Sequence, residues 1–364
     1  MRVALLAPGA SIHTIRWANG LAGRGVEVHL ISAHDIGLGI DPAVRVYRLE
    51  RSAPSAYVLA ASQLATLLKT IAPDLLHAHY ATGYGLLARR AGFKPMLLSV
   101  WGSDVYDFPS ISPLHRWILR SNLRSATAVA STSECMARKV NEVFPHPRLF
   151  VVPFGVDETV FVPGRTDLEP GVIVVGTVKT LSRTYGVDVL IDAFALAVQR
   201  LGRAVSLRLE ITGRGPDERS LRRQSQQLGL SEHVTFHGPV PHARVPEMLR
   251  RLDIFAALSR EESFGVAAIE AASCEKPVVV SDAEGFTEVT LNEVTGLIVR
   301  RNNASAAADA LVRLVRDEAL RASLGREGRL HVLRHYSWAV SLNQLIDTYH
   351  TITKGANSPC PHPV

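Results

Sequence analysis

Within "SREESFGVAAIEAASCEKPVVVSD", residues 259–282, two carboxylates, Glu262 and Glu270, interrupt an otherwise apolar run. The apolar spacing predicts a short buried helix beginning near Phe264, then a strand. On that reading Glu262 lies in the loop before the helix and Glu270 nearly two turns into it. Between them the N–H groups of Phe264, Gly265 and Val266 point out of the helix N-terminus. No intrahelical acceptor exists there, and partial positive charge collects. Such an end receives anions, and Gly265 lets a ligand approach the backbone closely. Carboxylates do not bind phosphate, but they accept hydrogen bonds from hydroxyls. The pattern therefore suits a ligand with hydroxyls on both sides of a phosphate group, such as a nucleoside diphosphate sugar. Glu261 is expected to face solvent.

A diphosphate also needs cations. "GTVKTLSRTYG" places Lys179 and Arg183 in the loop after a predicted strand. At about 4 Å and an effective dielectric near 20, one cation–phosphate contact is worth roughly 4 kcal/mol before desolvation. Two could balance a leaving diphosphate without a metal ion. Alone, the two read rather as surface charge; opposite the glutamate loop the diphosphate reading prevails. A dinucleotide fingerprint is poorly supported. "APGASIH" has one glycine, and "GRGPDE" has Gly213 and Gly215 but Glu218 where a third would fall. His77 and His79 alternate with apolar residues at a strand end, with no third ligand evident, so no metal site is expected. Asp104, in "SVWGSDVY", could bind a hydroxyl or cap a helix. His13, after the first strand, would face the ligand-binding edge, although a lone histidine is commonly structural.

The elements that must position these residues alternate. "RVALLAP", "EVHLISA", "DLLHAHY", "PMLLSVWGSD" and "ATAVAST" read as strands, with helices over "IHTIRWANGLAGRG" and "LAASQLATLLKTIAP". After a Pro- and Gly-rich linker near residues 148–172 the rhythm restarts with "VIVVGTVK". It continues through a helix near 186–201, "LRLEITGRGP", a helix over 217–228, "VTFHGPV", "DIFAALS", the glutamate helix and "PVVVSD". This β-α-β order predicts an α/β fold of two doubly wound, Rossmann-like domains in series, facing across a cleft. The expected bounds are 1–160 and 161–335. A helix over 336–354 is expected to pack back on the first domain, and 355–364 to fray. Ligands of such sheets bind outside the carboxyl ends of the strands.

The 364 residues suffice for two domains, and 47% hydrophobic against 20% charged content excludes a disordered chain. "MRVALLAPGAS" carries too short an apolar run for a signal peptide, and no stretch approaches a membrane span. A cytoplasmic location is expected. Cys135, Cys274 and Cys360 are too scattered for a disulfide framework. Residues 1–155 hold 16 Lys and Arg against 9 Asp and Glu, a net +7, while the remainder holds 24 against 25. Within the basic half, Arg116, Arg120 and Arg124 recur at helical spacing beside Trp117. That stripe is either a solvated face or a contact with anionic membrane or lipid-linked acceptor. Nucleic acid is not expected, since no basic-aromatic module is present.

The stretch from Glu261 to Val289 resembles the E-x7-E signature of retaining GT-B glycosyltransferases of the family-4 type, the glycosyl transferases group 1. The resemblance extends through "HTIRWANGLAGRGVEVHLIS", "HAHYATGYG", "VVPFGVDETVF", "LEITGRGP", "GLSEHVTFHGPV" and "NEVTGLIV", nearly the whole chain. It implies donor-sugar contact and catalysis at Glu262, with His13 and Asp104 beside the reacting centre. Phe264, Gly265 and Val266 would touch sugar and phosphate through their backbone, and Glu270 the ribose. Lys179 and Arg183 would hold the diphosphate. Gly213, Gly238 and Val240 would line the donor site, with the loop at 236–240 touching the base. Gly9, His79, Trp101 and Gly102 would lie on the acceptor side. It implies a UDP- or GDP-linked donor, no cofactor or metal, and a glycan or lipid-linked acceptor in cell-surface polysaccharide or lipopolysaccharide synthesis. Two departures stand out. Trp101-Gly102 replaces the usual His-Gly pair, and Tyr185 replaces the Lys before Gly186. A nucleotide-sugar epimerase, a phosphorylase or a non-catalytic sugar-nucleotide binding protein are the alternatives; no phosphorylase cofactor lysine is found.

Overall fold

The computed structural model describes residues 1–164, 171–202 and 205–354. Cys360 and the terminal segment expected to fray lie outside the described residues. The chain forms two compact units. One comprises residues 1–153 with residues 341–354, the other Phe154–Val340.

In the first unit seven strands run parallel: β1 (Arg2–Leu6), β2 (Glu27–Ser32), β3 (Arg45–Arg48), β4 (Leu75–His79), β5 (Met96–Ser99), β6 (Ala128–Ser131) and β7 (Leu149–Val151). Their order is β3-β2-β1-β4-β5-β6-β7. β1, β4, β5 and β6 are buried almost throughout, the expected state of parallel strands covered on both faces. The covering helices are α1 (Ile12–Gly23), α2 (Ala56–Leu59), α3 (Ala61–Ile71), α4 (Gly83–Ala91), α5 (Ser103–Tyr106), α6 (Phe108–Ile111), α7 (Pro113–Ser125) and α8 (Glu134–Val143). Strand order reverses between β1 and β4, the topological switch point where doubly wound sheets take ligands.

The second unit has six parallel strands: β8 (Val172–Val178), β9 (Ser206–Thr212), β10 (Val234–Gly238), β11 (Ile254–Ala257), β12 (Val278–Ser281) and β13 (Gly296–Val299). Their order, β10-β9-β8-β11-β12-β13, puts the switch between β8 and β11. Helices α9 (Val187–Leu201), α10 (Glu218–Gln227), α11 (Val245–Arg250), α12 (Val266–Ser273), α13 (Glu284–Val289), α14 (Ala304–Arg316) and α15 (Glu318–His335) cover it. A last helix, α16 (Trp338–Lys354), brings the buried Tyr349 to the first unit, where its hydroxyl lies 2.7 Å from Nδ1 of His77 on β4. The predicted elements over 186–201, 217–228 and 336–354 correspond to α9, α10 and α16 within a residue or two.

The glutamate helix begins later than its apolar pattern predicts. It starts at Val266, because Gly265 takes a left-handed conformation, φ +106°, that breaks the helix there. Phe264 turns its ring inward, edge-on to Phe154 and Tyr336. That anchor fixes the loop carrying Glu262.

Candidate functional site

The switch point of the second unit explains why two distant residues meet. Lys179 follows β8 and Glu262 follows β11, and those strands are neighbours. Lys179 Nζ lies 2.6 Å from Glu262 Oε2, with the side chains only 11% and 10% exposed. The ammonium also sits 4.6 Å from the ring centroid of Tyr185, within cation–π range. Tyr185, noted in the sequence as replacing a cation, thus supports the lysine. The Glu262 carbonyl accepts from the Gly285 N–H at 3.0 Å, holding the glutamate loop against α13.

Two further loops close around Lys179. Its N–H donates to Thr212 O at 3.0 Å, and the Gly213 N–H donates to Gly238 O at 2.9 Å. Gly213 has φ +139°, and a Cβ there would collide with the Lys179 carbonyl oxygen. Only glycine fits. The loops after β8, β9 and β10 enclose a cavity of about 280 Å³ lined by Lys179, Thr180, Gly213, Arg214, Pro239 and Val240. Arg183 lies on a 3₁₀ turn, Arg183–Tyr185, with its side chain exposed. Among the described residues its guanidinium makes no ion pair.

Glu270 is 5% exposed, on the second turn of α12. Its Oε1 receives His242 Nε2 at 3.0 Å, and the edge of Phe161 meets the imidazole at 5.8 Å between centroids. Sequence reasoning singled out neither His242 nor Arg214. His242 sits in a turn with no periodic signal. Arg214, between two glycines in "GRGP", was legible as a cation on a strand-end loop. Glu261 is exposed, as expected.

At the switch point of the first unit, Trp101 packs against His79 at 4.5 Å, Tyr80 at 4.9 Å and His13 at 5.7 Å between centroids. The Gly9 N–H donates to Ser32 Oγ at 2.9 Å. Asp104, expected beside the reacting centre or at a helix cap, is buried. Its carboxylate accepts from the N–H groups of Ala81, Trp101 and Gly102 at 2.9–3.0 Å, so it ties the loop after β4 to the loop after β5. Burial pushes its pKa up, against the lowering effect of those amides. His79 is buried, its Nδ1 without a hydrogen-bond partner among the described residues. Burial, then the neighbouring His77 and His13, hold it well below the ordinary histidine range. His77 bonds Tyr349 and Ser99, and burial pushes it down to about 3. Beside this cluster, Pro8, His34, Tyr57, Tyr80, Thr82 and Tyr84 line a second cavity of about 250 Å³. On α7, Arg116, Arg120 and Arg124 are exposed.

Comparison with known proteins follows this two-unit plan. Residues 164–331 match the family model described as glycosyl transferases group 1, and residues 2–133 one described as glycosyl transferase 4-like. A D-inositol 3-phosphate glycosyltransferase of Rhodococcus opacus is 30% identical over 308 residues, covering 78% of this chain and 68% of its own. A GDP-mannose:cellobiosyl-diphosphopolyprenol alpha-mannosyltransferase of Xanthomonas oryzae is 28% identical, over 88% of this chain and 83% of its own. The Anabaena protein HepE, solved with UDP and glucose, superposes with TM-score 0.77 at 18% identity, over 96% of this chain and 100% of its own.

Proposed function

The chain belongs to the glycosyl transferases group 1, the retaining GT4 family of GT-B fold, and from that premise we propose that it moves a sugar from a UDP- or GDP-linked donor to a hydroxyl of a glycan or lipid-linked acceptor. The observation that carries the reading is the pairing of Lys179 with Glu262 at the β8/β11 switch point. A cation and a carboxylate meet where doubly wound sheets bind nucleotides. In the reaction the bond between the anomeric carbon and the diphosphate oxygen breaks, and the acceptor oxygen bonds the same face of that carbon. The acceptor's proton passes to the departing diphosphate.

Lys179 takes the diphosphate's negative charge, joined by Arg183, and Glu262 is released to the sugar hydroxyls and the positive charge that grows at the anomeric carbon. The N–H groups at Phe264, Gly265 and Val266 receive phosphate or sugar oxygens, and Glu270 takes the ribose. Gly213 and Val240 line the nucleotide's cavity, and Gly238 holds Gly213 there through its carbonyl. Gly9, His79, Trp101 and Gly102 stand on the acceptor side, with His13 beside the reacting centre; Asp104 holds their loop. No metal takes part in this scheme.

The polyprenol-linked acceptor in the name of the Xanthomonas relative supports a lipid-linked acceptor and a role in cell-surface polysaccharide synthesis. The site of work is then the inner face of the membrane, with Arg116, Arg120 and Arg124 towards anionic lipid. A thermal-shift screen with UDP, GDP, ADP and CMP, followed by transfer assays with the corresponding sugars, tests the reading. Stabilisation by UDP or GDP and net transfer are expected. Stabilisation by none of the four nucleotides would sink the donor assignment.

A further inference from the structure

Arg260 stands two residues before Glu262, in the loop after β11. A cation at that place invites the role of a third phosphate ligand. Its bonds say otherwise, because the guanidinium is already spent. Nη1 and Nη2 donate to the two carboxylate oxygens of Asp188, at 2.8 and 2.6 Å, a bidentate fork. Nη1 also donates to the Arg183 carbonyl at 2.5 Å, and the Arg260 N–H donates to the Thr184 carbonyl at 2.7 Å. Asp188 lies in the first turn of α9, where a helix N-terminus favours negative charge. The Arg260 side chain is 22% exposed, so the fork is partly sheltered from solvent. Behind it the Arg301 guanidinium donates to the Arg260 carbonyl at 3.3 Å and pairs with Asp282 at 3.0 Å.

The turn held in this way, Arg183–Tyr185, carries two side chains of the site: Arg183 itself, and Tyr185, whose ring centroid lies 4.6 Å from the Lys179 ammonium. We propose that Arg260 and Asp188 are positioning residues, whose fork clamps this turn to the glutamate loop and so fixes where Arg183 and Lys179 stand for the diphosphate. An arginine reaches a phosphate with less loss of freedom when its backbone is already fixed. The clamp also joins the loop after β8, which carries the cations, to the loop after β11, which carries Glu262, so both sides of the donor site keep one spacing. Charge alone predicts the opposite sign for Asp188. A carboxylate beside an anion site repels the ligand, so its removal should strengthen binding. A clamp that loses its carboxylate weakens binding instead. The inference rests on the donor reading for what Arg183 and Lys179 hold, but backbone exchange is measured without a ligand, so the two fail separately.

The test measures binding of UDP, GDP, UMP and GMP to the full chain by isothermal titration, beside hydrogen exchange of the amides of residues 184–187 without nucleotide. Asp188→Asn and Arg260→Lys should each weaken whichever diphosphate the wild type binds by about fivefold, and the matching monophosphate less. Lysine keeps the charge but cannot fork two carboxylate oxygens and reach a carbonyl as well. Asp188→Glu keeps the carboxylate and should restore part of the affinity. The amides of the turn should exchange faster in Asp188→Asn and Arg260→Lys than in wild type. Equal or tighter diphosphate binding in Asp188→Asn overturns the proposal. So does wild-type affinity in Arg260→Lys, which makes Arg260 a phosphate cation. Equal losses for diphosphate and monophosphate, or unchanged exchange, overturn it too. Faster exchange in both variants of a chain that binds no nucleoside diphosphate would sink the donor reading and keep the clamp.

Discussion

Lys179 Nζ stands 2.6 Å from Glu262 Oε2, so the cation expected at the diphosphate and the acid expected at the sugar hold each other. Binding a donor must part them or slip between them. Neither group then meets its ligand as a bare buried charge, which would cost more than the pair does.

The pair makes the two substitutions asymmetric. Glu262→Ala removes the acid and frees the ammonium. Transfer should fall by roughly 10²–10³ or more, while the Kd for UDP or GDP stays the same or tightens. Lys179→Ala should weaken nucleoside diphosphate binding by about tenfold or more. Isothermal titration beside a transfer assay separates the two; full activity in Glu262→Ala would defeat the mechanism.

His242 orients Glu270 by holding its Oε1. His242→Ala should raise the donor KM by about tenfold with kcat little changed, and His242→Gln should restore part of the loss. The weakening should be greater for UDP than for 2′,3′-dideoxy-UDP, which lacks the hydroxyls Glu270 would take. An equal loss for both ligands would remove Glu270 from the ribose.

Gly213 is glycine because the Lys179 carbonyl occupies the place of a Cβ and the backbone is at φ +139°. Gly213→Ala should cost about 1–3 kcal/mol, lower Tm by several degrees and open the nucleotide cavity. A melt unchanged from wild type would contradict this packing.

His77 and His79 are held neutral by burial, His77 down to about 3. The unfolded chain binds protons at these positions below about 6.5. Their contribution to stability is therefore complete above that pH and is lost as pH falls from about 6.5 toward 3, by up to ~1.4 kcal/mol per pH unit for each group. Urea midpoints at pH 7 and pH 5 should differ, and His77→Gln should flatten the difference. Parallel pH slopes for variant and wild type would reassign the sensitivity.

Periodicity and punctuation were enough for the two-domain α/β plan, because parallel strands buried on both faces read as unbroken apolar runs and their crossover helices as amphipathic ones. The acids of the glutamate stretch and Lys179 were visible as well, since a charge in an apolar run is rare enough to notice. Which of them touch was not visible. Lys179 and Glu262 meet only because strand order reverses between β8 and β11, and no local pattern encodes that adjacency. The same holds for Asp104, whose carboxylate reads identically in sequence whether it faces a substrate or closes a loop through three backbone amides. Sequence by itself determined the family, the elements and the inventory of chemical groups. Tertiary structure alone decided which groups pair, which are buried and which face outward, because those outcomes depend on contacts between segments far apart in the chain.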